Sequence, residues 1–211
     1  MAIQDIYEAV LSYDHIGIVD LVGQEVEAGT DISVILNSGL IAPMDEVGAR
    51  FERGDIFVPH MLVAGRAMRA GLEVLRPHMA ARNVKSRGTV VCGTVKGDIH
   101  DIGKNLVILM LEGAGFRVVD LGVDVAQEVL LSAAVENRAD VLALSALLTS
   151  TMPSMERAVA FVKKELPTVK IVVGGAPVTE LYAQTVGADG YGADAPSAVP
   201  LVRGLLEGAE C

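Results

Sequence analysis

Hydrophobic residues in the first 81 positions recur at intervals of three and four, the spacing of one face of an α-helix. We therefore expect helices here and no strand. Asp31 is a suitable N-terminal cap for a short helix that ends near Asn37-Ser38-Gly39, and Gly54-Asp55 marks a later break. The pattern predicts a bundle of four or five helices with short loops. The apolar stripes are Ile3, Ile6 and Val10; Ile18, Leu21, Val22 and Val26; Leu40, Met44, Val47 and Phe51; and Met61, Met68, Leu72 and Leu75, with Pro77 near the end of the last helix.

The pattern changes in the middle of the chain. Residues 82–88 are polar and aperiodic, which is typical of a linker. From Thr89 onward, short apolar runs of strand length alternate with stretches of helical spacing. The predicted strands are Thr89–Gly93, Arg117–Asp120, Val141–Leu144, Ile171–Val173 and a weaker Asp189–Tyr191, and the predicted helices are Ile102–Gly113, Ala126–Asn137, Pro153–Glu165, Thr179–Val186 and Ala195–Glu207.

Alternation over five strand–helix units predicts an α/β domain, a parallel sheet with helices on both faces. Right-handed crossovers make this a doubly wound, flavodoxin-like (Rossmann-like) fold, for which we expect the strand order 2-1-3-4-5. Ligands of such sheets bind beyond the carboxyl ends of the strands, where the order reverses. Residues 95–103, 145–151 and 174–175 follow the first, third and fourth strands and should meet there. We expect two domains, 1–87 and 88–211.

Composition narrows the possible functions. The 211 residues are 51% hydrophobic and 21% charged, as in folded globular proteins, with a net charge of −10. Acidic residues are spread over both halves and tryptophan is absent, so we expect no nucleic-acid partner. No apolar run is long enough to span a membrane and no signal-peptide pattern is present, which predicts a cytoplasmic protein without a membrane partner. Cys92 and Cys211 are too few for a disulfide scaffold, and Cys92 is expected in the core.

The candidate chemistry follows the first predicted strand, where Asp98, His100 and Gly103 form the pattern Asp-x-His-x-x-Gly. Imidazole is a good ligand for a transition metal, and a nearby carboxylate can fix its tautomer by accepting the second ring N–H. A hydroxyl group from residues 145–151 can extend such a relay. Ordinary explanations stay open at this point: His100 can be solvated, and Asp98 or Asp101 can cap the following helix. The sequence contains no competing metal, phosphate or nucleophile motif.

Residues 93–105, Gly-Thr-Val-Lys-Gly-Asp-Ile-His-Asp-Ile-Gly-Lys-Asn, closely resemble the cobalamin-binding domain family. The segment from Phe57 to Pro77 resembles the last helix of the methyltransferase-type helical cap. Cap and cobalamin domain together cover essentially the whole chain. This is the layout of small corrinoid proteins of methyl-transfer systems, and of the central module of cobalamin-dependent methionine synthase. Further similar elements, in family order, are Leu121–Val125, Ser145-Ala146-Leu147, Gly174-Gly175 and Ala188–Tyr191.

The resemblance implies a site for a cobalamin or related corrinoid whose own base has left the cobalt. His100 would be the lower cobalt ligand, Asp98 would accept a hydrogen bond from its ring, and Thr151 stands where methionine synthase has the serine of this relay. Phe57 and Met61 of the cap are candidates for the upper face, or for the bundle core. The other implied contacts are Gly97, Ile99, Asp101, Ile102 and Gly103 beside the ligand; Ser145, Leu147 and Thr149 along the nucleotide tail; Gly174, Gly175 and Ala176 at a close backbone approach; and Tyr191, Gly192 and Ala193 at the far end.

By the same resemblance, the protein carries a methyl group on cobalt and has a methyl-corrinoid form in its cycle. The implied partners are a donor-specific methyltransferase, an acceptor methyltransferase that uses a folate or a thiol, and a reductive activation protein. The chain is expected to be a carrier subunit that is not catalytic alone. Residues 82–88 would be the hinge on which the cap moves. The role of His60 is open, because an acidic residue is expected there in close relatives.

Three other functions are compatible with parts of the sequence. A cobalamin-binding sensor that controls transcription also joins a helical bundle to this domain, but it normally adds a DNA-binding region. The small subunit of a cobalamin-dependent mutase shares Asp-x-His-x-x-Gly but lacks the cap. A cofactor-free flavodoxin-like interaction domain would stay colourless when cobalamin is added.

Overall fold

The computed structural model describes residues 2–81 and 86–207. Positions 82–85 of the expected linker, and Cys211, lie outside these described residues. The described chain forms two compact units, one helical and one built on a β-sheet. They comprise Met1–Arg87 with Leu109–Gly115, and Gly88–Ile108 with Phe116–Cys211.

This division differs from the expected domains at one segment. The sequence pattern assigns all of 88–211 to the second domain, whereas residues 109–115 group with the helical unit. Close packing at small residues explains the grouping. A Cβ added to Gly48 would lie 3.3 Å from Met110 Cε. A Cβ added to Gly113 would lie 3.1 Å from Met44 Cγ. Side chains of this segment therefore contribute to the helical unit's core.

The helical unit is a bundle, as predicted. Its apolar stripes are buried: Ile6, Leu40 and Met68 have no exposed surface. Asp31 caps a helix start as expected, because its carboxylate accepts a hydrogen bond from the Ser33 N–H at 2.7 Å. The α-helical stretches are α1 (Ala2–Leu11), α2 (Gly17–Glu27), α3 (Ile32–Val34), α4 (Ala42–Glu52) and α5 (Val58–Ala81).

The predicted helix stop at Asn37-Ser38-Gly39 is wrong. The chain stays helical there, as a π-helical segment over Ile35–Ile41 that leads directly into α4. Gly39 makes room for a neighbouring helix, since a Cβ at this position would lie 3.1 Å from Ile6 Cγ2. The wider turn lets the Ala42 N–H bond to the Asn37 carbonyl, five residues back. Packing between helices thus overrides a local stop signal.

The second unit contains a five-stranded parallel sheet. Its elements are β1 (Thr89–Thr94), α6 (Ile102–Gly113), β2 (Arg117–Asp120), α7 (Gln127–Glu136), β3 (Val141–Ser145), α8 (Met152–Glu165), β4 (Lys170–Gly174), α9 (Glu180–Val186), β5 (Gly190–Gly192) and α10 (Ala195–Glu207). The strand order is β2-β1-β3-β4-β5, which confirms the predicted flavodoxin-like order. Strands β1, β3 and β4 are mostly buried, as expected for central parallel strands covered by helices.

Strand register brings three loops to one edge of the sheet. Thr94 pairs with Ser145, and Ser145 pairs with Gly174, so β1, β3 and β4 end level with one another. Hydrogen bonds continue this alignment beyond the strands. The Val95 N–H donates to the Ser145 carbonyl at 3.0 Å, and the Ala146 N–H donates to the Gly174 carbonyl at 3.1 Å. The loops that follow these strands therefore start side by side at the carboxyl edge.

The core beneath this edge is apolar. Val91, Leu142 and Ile171 of the central strands pack with Leu130 of α7 and Val159 of α8. Cys92, the next residue of β1, is buried as well, as expected. In residues 2–81 and 86–207, no helix combines the length and the apolar character needed to cross a membrane.

Candidate functional site

The loop after β1 begins with a tight turn. The Asp98 N–H donates to the Val95 carbonyl at 3.1 Å, and Gly97 has a φ of +89°, which other residues rarely adopt. This combination is typical of a turn that requires glycine at its third position. Asp98 follows the turn, and its side chain is completely buried.

Asp98 and His100 contact each other directly. Asp98 Oδ1 lies 2.7 Å from Nδ1 of the His100 ring and accepts the His100 backbone N–H at 3.1 Å. An ionised carboxylate accepts but cannot donate, so the proton of this contact belongs on Nδ1. In a neutral ring Nε2 then carries a lone pair, and the His100 side chain is 45% exposed. The ring thus offers one nitrogen donor to the exterior.

The second carboxylate oxygen of Asp98 faces the loop after β3. It accepts the Leu147 N–H at 2.7 Å, the Leu148 N–H at 3.3 Å and the Thr151 hydroxyl at 2.8 Å. Thr151 Oγ1 also lies 2.8 Å from the Leu148 carbonyl oxygen. A hydroxyl has one proton, so Thr151 donates to only one of these two acceptors at a time. The three residues of the expected relay, Asp98, His100 and Thr151, are therefore adjacent.

These contacts decide the charge of Asp98. Burial opposes its ionisation, but the Leu147 and His100 N–H groups, the His100 ring and the Thr151 hydroxyl outweigh burial. Together they hold the pKa of Asp98 well below its ordinary value of 3.8. The group is an anion at neutral pH. An anion here keeps the shared proton on Nδ1 and raises the basicity of Nε2 toward a metal.

Two further buried side chains hold the loop and α6, and sequence reasoning missed both. The Thr94 hydroxyl, at the end of β1, donates to the His100 carbonyl at 2.9 Å. Lys104 in α6 places Nζ 2.6 Å from Asp120 Oδ1 and 2.8 Å from Asn105 Oδ1. Thr94 and Lys104 lie within the motif that carries the family resemblance. That membership was their only signal, because nothing local indicates that they are buried.

Gly174 and Gly175, at the end of β4, allow a close approach of backbone segments. Gly175 has a φ of +126°, and a Cβ there would overlap the Ala146 carbonyl oxygen. A Cβ on Gly174 would lie 2.8 Å from the Gly192 carbonyl oxygen. This part of the carboxyl edge therefore consists of closely packed backbone, without room for side chains at these positions.

Exposed apolar side chains flank His100 in the sequence, and another lies on the loop after β3. Ile99 and Ile102 are 75% and 76% exposed, and Leu147 is exposed as well. Large apolar residues are normally buried, so exposed ones on the two loops that hold the His100–Asp98–Thr151 relay are consistent with a large and partly apolar ligand. Of the other expected contacts, Gly97, Asp101, Gly103, Thr149, Ala176 and Ala193 are exposed, and Ser145, Tyr191 and Gly192 are half-buried.

The expected cap contacts lie in the helical unit. Phe57, which precedes α5, is 66% exposed, whereas Met61 is fully buried. Met61 is therefore a core residue of the bundle, the alternative that the sequence left open. Contact of either residue with a cofactor stays a prediction.

Both the sheet unit with its Asp98–His100–Thr151 relay and the helical unit match known protein families. A family model described as "B12 binding domain" matches residues 88–199, and a second model with the same description matches residues 2–76. This chain belongs to the B12-binding domain family. The resemblance inferred from its motifs is thereby confirmed.

The similarity to known corrinoid proteins extends over most of the length of both chains. The chain is 42% identical over 203 residues to trimethylamine corrinoid protein 1 of Methanosarcina acetivorans, covering 94% of each. It is 42% identical over 186 residues to dimethylamine corrinoid protein 1 of the same organism, covering 87% of each. A chain of the methanol:cobalamin methyltransferase complex MtaBC from Methanosarcina barkeri matches with a TM-score of 0.89 and 30% identity, over 98% of this chain and 80% of that chain. This match confirms the fold class.

The chemistry of the site fits a corrinoid. His100 offers Nε2, a nitrogen ligand suited to cobalt, and Asp98 supplies the acceptor that a metal-bound imidazole needs behind it. The exposed Ile99 and Ile102 suit the apolar parts of a corrin ring. Within the described part of the chain, no group of three or more His, Cys, Asp or Glu side chains forms an alternative metal site.

Proposed function

We propose that this protein binds a cobalamin or related corrinoid and carries a methyl group between two methyltransferases. The observation that carries the proposal is the exposed His100 ring backed by the buried carboxylate of Asp98. Relatives named for trimethylamine and dimethylamine, at 42% identity, support a methylamine as the methyl source. A separate donor-specific methyltransferase holds that substrate.

In this proposal His100 would hold the cobalt through Nε2, in place of the corrinoid's own base. The bound corrinoid supplies a cobalt centre that accepts and releases a methyl group. Asp98 keeps a proton on Nδ1, so that the Nε2 lone pair is available for ligation. Leu147 and Thr151 hold the Asp98 carboxylate, which fixes the ring in one orientation.

A proton on Nδ1 of His100 would leave Nε2 free to serve as a ligand. The anionic Asp98 accepts the Nδ1–H hydrogen bond across the 2.7 Å contact and so keeps the proton on that nitrogen. Thr151 can turn its own proton toward Asp98 or toward the Leu148 carbonyl.

His100→Ala in the reconstituted full-length protein tests the ligand assignment. Because the side chain is nearly half-exposed, the variant should fold with an unfolding midpoint close to that of the wild type. We expect it to lose the absorption signature of histidine coordination and to bind the corrinoid roughly 10- to 100-fold more weakly. Its methyl transfer should be slower. His78→Ala, at an exposed histidine of α5, is the matched control. A wild-type spectrum and turnover in His100→Ala would refute the assignment.

The donor is tested with partner methyltransferases, because donor choice resides in the partner. Trimethylamine and dimethylamine methyltransferases should methylate the loaded protein, whereas a methanol methyltransferase should do so poorly. An acceptor methyltransferase that uses a thiol or folate, a reductive activation protein and a cytoplasmic location complete the proposal. Firm corrinoid binding with no methyl transfer from any donor would favour the sensor function instead.

A further inference from the structure

Asp124, in the segment between β2 and α7, contacts three consecutive residues of the turn after β1. Its Oδ1 accepts the Gly97 N–H at 2.8 Å, and its Oδ2 lies 2.9 Å from Lys96 Nζ. Its own N–H donates to the Asp98 carbonyl at 2.8 Å. One residue therefore holds the backbone of 96–98, the part of the chain that presents Asp98 to His100.

The backbone around Asp124 is itself anchored to β1. Asp124 has a φ of +56°, in the left-handed region that aspartate tolerates better than most residues. Val125 pairs with Val95 in a parallel bridge, and its N–H donates to the Thr94 carbonyl at 2.9 Å. Asp124 thus acts from a fixed position. Movement of the 96–98 turn away from it would break two hydrogen bonds and an ion pair.

Asp98 is consequently held at both ends. Leu147 and Thr151 hold its carboxylate, and Asp124 holds its backbone carbonyl and the N–H of the preceding residue, Gly97. The position of the acceptor for the His100 ring depends on both constraints. If the backbone of Asp98 shifts while its carboxylate stays bound, the contact between Oδ1 and Nδ1 must lengthen or rotate.

We propose that Asp124 is a positioning residue for the Asp98–His100 pair, and through that pair for the cobalt ligand. The role in placing the Asp98–His100 pair concerns the protein without cofactor. Only the effect on the cobalt ligand rests on the proposed function. The bond to the Gly97 N–H is the main constraint. The exposed ion pair with Lys96 contributes little, because water screens it.

Asp189, at the amino ends of the strands, provides a matched control for the substitution of Asp124. Its carboxylate also bridges a lysine and a backbone N–H, with Oδ1 2.9 Å from Lys163 Nζ and Oδ2 2.7 Å from the Ile171 nitrogen. Its own N–H donates to the Ile171 carbonyl at 2.7 Å. This cluster lies near the start of β4, whereas the ligand loop follows the end of β1. It has the same chemistry and no contact with the Asp98–His100 pair.

Two substitutions separate the parts of the Asp124 contact. Asp124→Gly keeps the left-handed backbone and removes the carboxylate, while Asp124→Asn keeps an oxygen for the Gly97 N–H. In cofactor-free Asp124→Gly, we expect the nitrogen NMR signals of the His100 ring to shift toward mixed tautomers. Exchange of the Nδ1 proton should become about 5- to 10-fold faster, the equivalent of one lost hydrogen bond. Asp124→Asn should stay within about twofold of the wild type.

The loaded protein supplies a second measurement. Asp124→Gly should raise the fraction of corrinoid without histidine coordination and raise the corrinoid Kd roughly 10-fold. Asp189→Gly should lower the unfolding midpoint but leave the His100 signals and the coordination spectrum unchanged. Unchanged His100 signals in Asp124→Gly, or an equal change in Asp189→Gly, would overturn the proposal. If His100→Ala leaves the spectrum unaltered, the ligand assignment fails instead, and the cofactor-free signals still decide the positioning role.

Discussion

The helical unit and the sheet unit differ in what they bury. The buried polar or charged side chains among the described residues are Thr94, Asp98, Lys104 and Thr151, and all four belong to the sheet unit. The helical unit buries apolar side chains, such as Leu40. An apolar core tolerates exchanges of similar volume, whereas a buried polar network needs every partner. The chemistry of this protein therefore lies where its fold is least tolerant.

Glycines show the same difference between the units. Gly175 of the sheet unit abuts a backbone carbonyl group, which cannot move aside. Gly71 of α5 abuts the end of a side chain, since a Cβ there would lie 2.8 Å from Leu40 Cδ2. A side-chain end can rotate away. The same added methyl group should therefore have unequal consequences.

Gly175→Ala should lower the stability of the protein more than any substitution below. The new Cβ meets the Ala146 carbonyl, and a φ of +126° is unfavourable for alanine, so the free energy of unfolding should fall by roughly 2–4 kcal/mol. Gly71→Ala should change it by less than about 1 kcal/mol, because crowding at Leu40 is offset by better helix propensity. Urea unfolding followed by circular dichroism measures both values. Equal losses would contradict the difference between the units.

Asp98→Asn should have the next largest effect. An amide has one acceptor oxygen and one donor NH2, so it cannot satisfy both the His100 ring and the Leu147 N–H with acceptors. If its oxygen faces Leu147, its NH2 faces Nδ1 and moves the ring proton to Nε2, the nitrogen that ligation requires to be free. We expect a loss of about 1–3 kcal/mol in unfolding free energy. The changed tautomer should be visible in nitrogen NMR spectra of the cofactor-free protein.

Asp31→Asn in the helical unit is the matched control for this substitution. Asparagine caps helices as well as aspartate does, so the free energy of unfolding should change by less than about 0.5 kcal/mol. An Asp98→Asn protein with wild-type stability and tautomer would show that the buried network is dispensable.

Acid titration tests the same network with a smaller effect. Hydrogen bonds outweigh burial and hold the pKa of Asp98 below its ordinary 3.8, so the ionised group stabilises the fold above that value and loses this effect as the pH falls below it. The difference in unfolding free energy between the wild type and Asp98→Asn should shrink as the pH falls below about pH 4. Urea unfolding at each pH measures it. A difference that grows in acid would have the wrong sign for a lowered pKa.

The sheet unit was largely predictable because each strand is a short apolar run between turn residues, and parallel topology then fixes one ligand edge. Asp98, His100 and Thr151 could be singled out from their motif and their loops. Thr94 and Lys104 could not, because their importance comes from the backbone and carboxylate groups that the fold places beside them. Lysine in a helix is ordinarily exposed, and only the tertiary structure shows that Lys104 is not.

The helical unit was predictable from its stripes, but its π-helical segment was not. Asn37 and Gly39 are local stop signals, and local signals of this kind are worth only about 1 kcal/mol each. The close approach of Ile6 to Gly39 joins residues far apart in sequence. Contacts of this kind leave no pattern that a short stretch of sequence can reveal.

His60 is a local feature of the helical unit, and the smallest effect is expected there. Its Nδ1 accepts the Phe57 N–H at 3.1 Å, at the start of α5. This is the contact that glutamate or glutamine makes in a capping box, from the third helical position back to the cap residue. The expectation of an acidic residue at this position thereby gains a physical reason. The helix start needs an acceptor, and an unprotonated Nδ1 is one.

His60→Ala should lower the free energy of unfolding by about 0.5–1 kcal/mol, and His60→Gln should restore most of the loss by keeping an acceptor. The ring of His60 also lies 6.1 Å from that of Tyr13 and 6.2 Å from that of Phe57. Both variants lose these aromatic contacts, so the difference between them isolates the hydrogen bond. Equal losses would assign His60 to aromatic packing alone. Neither variant should alter the His100 signals of the cofactor-free protein. The hydrogen bond at the start of α5 joins residues three positions apart, whereas the hydrogen bonds of Asp98 join two loops and depend on one another.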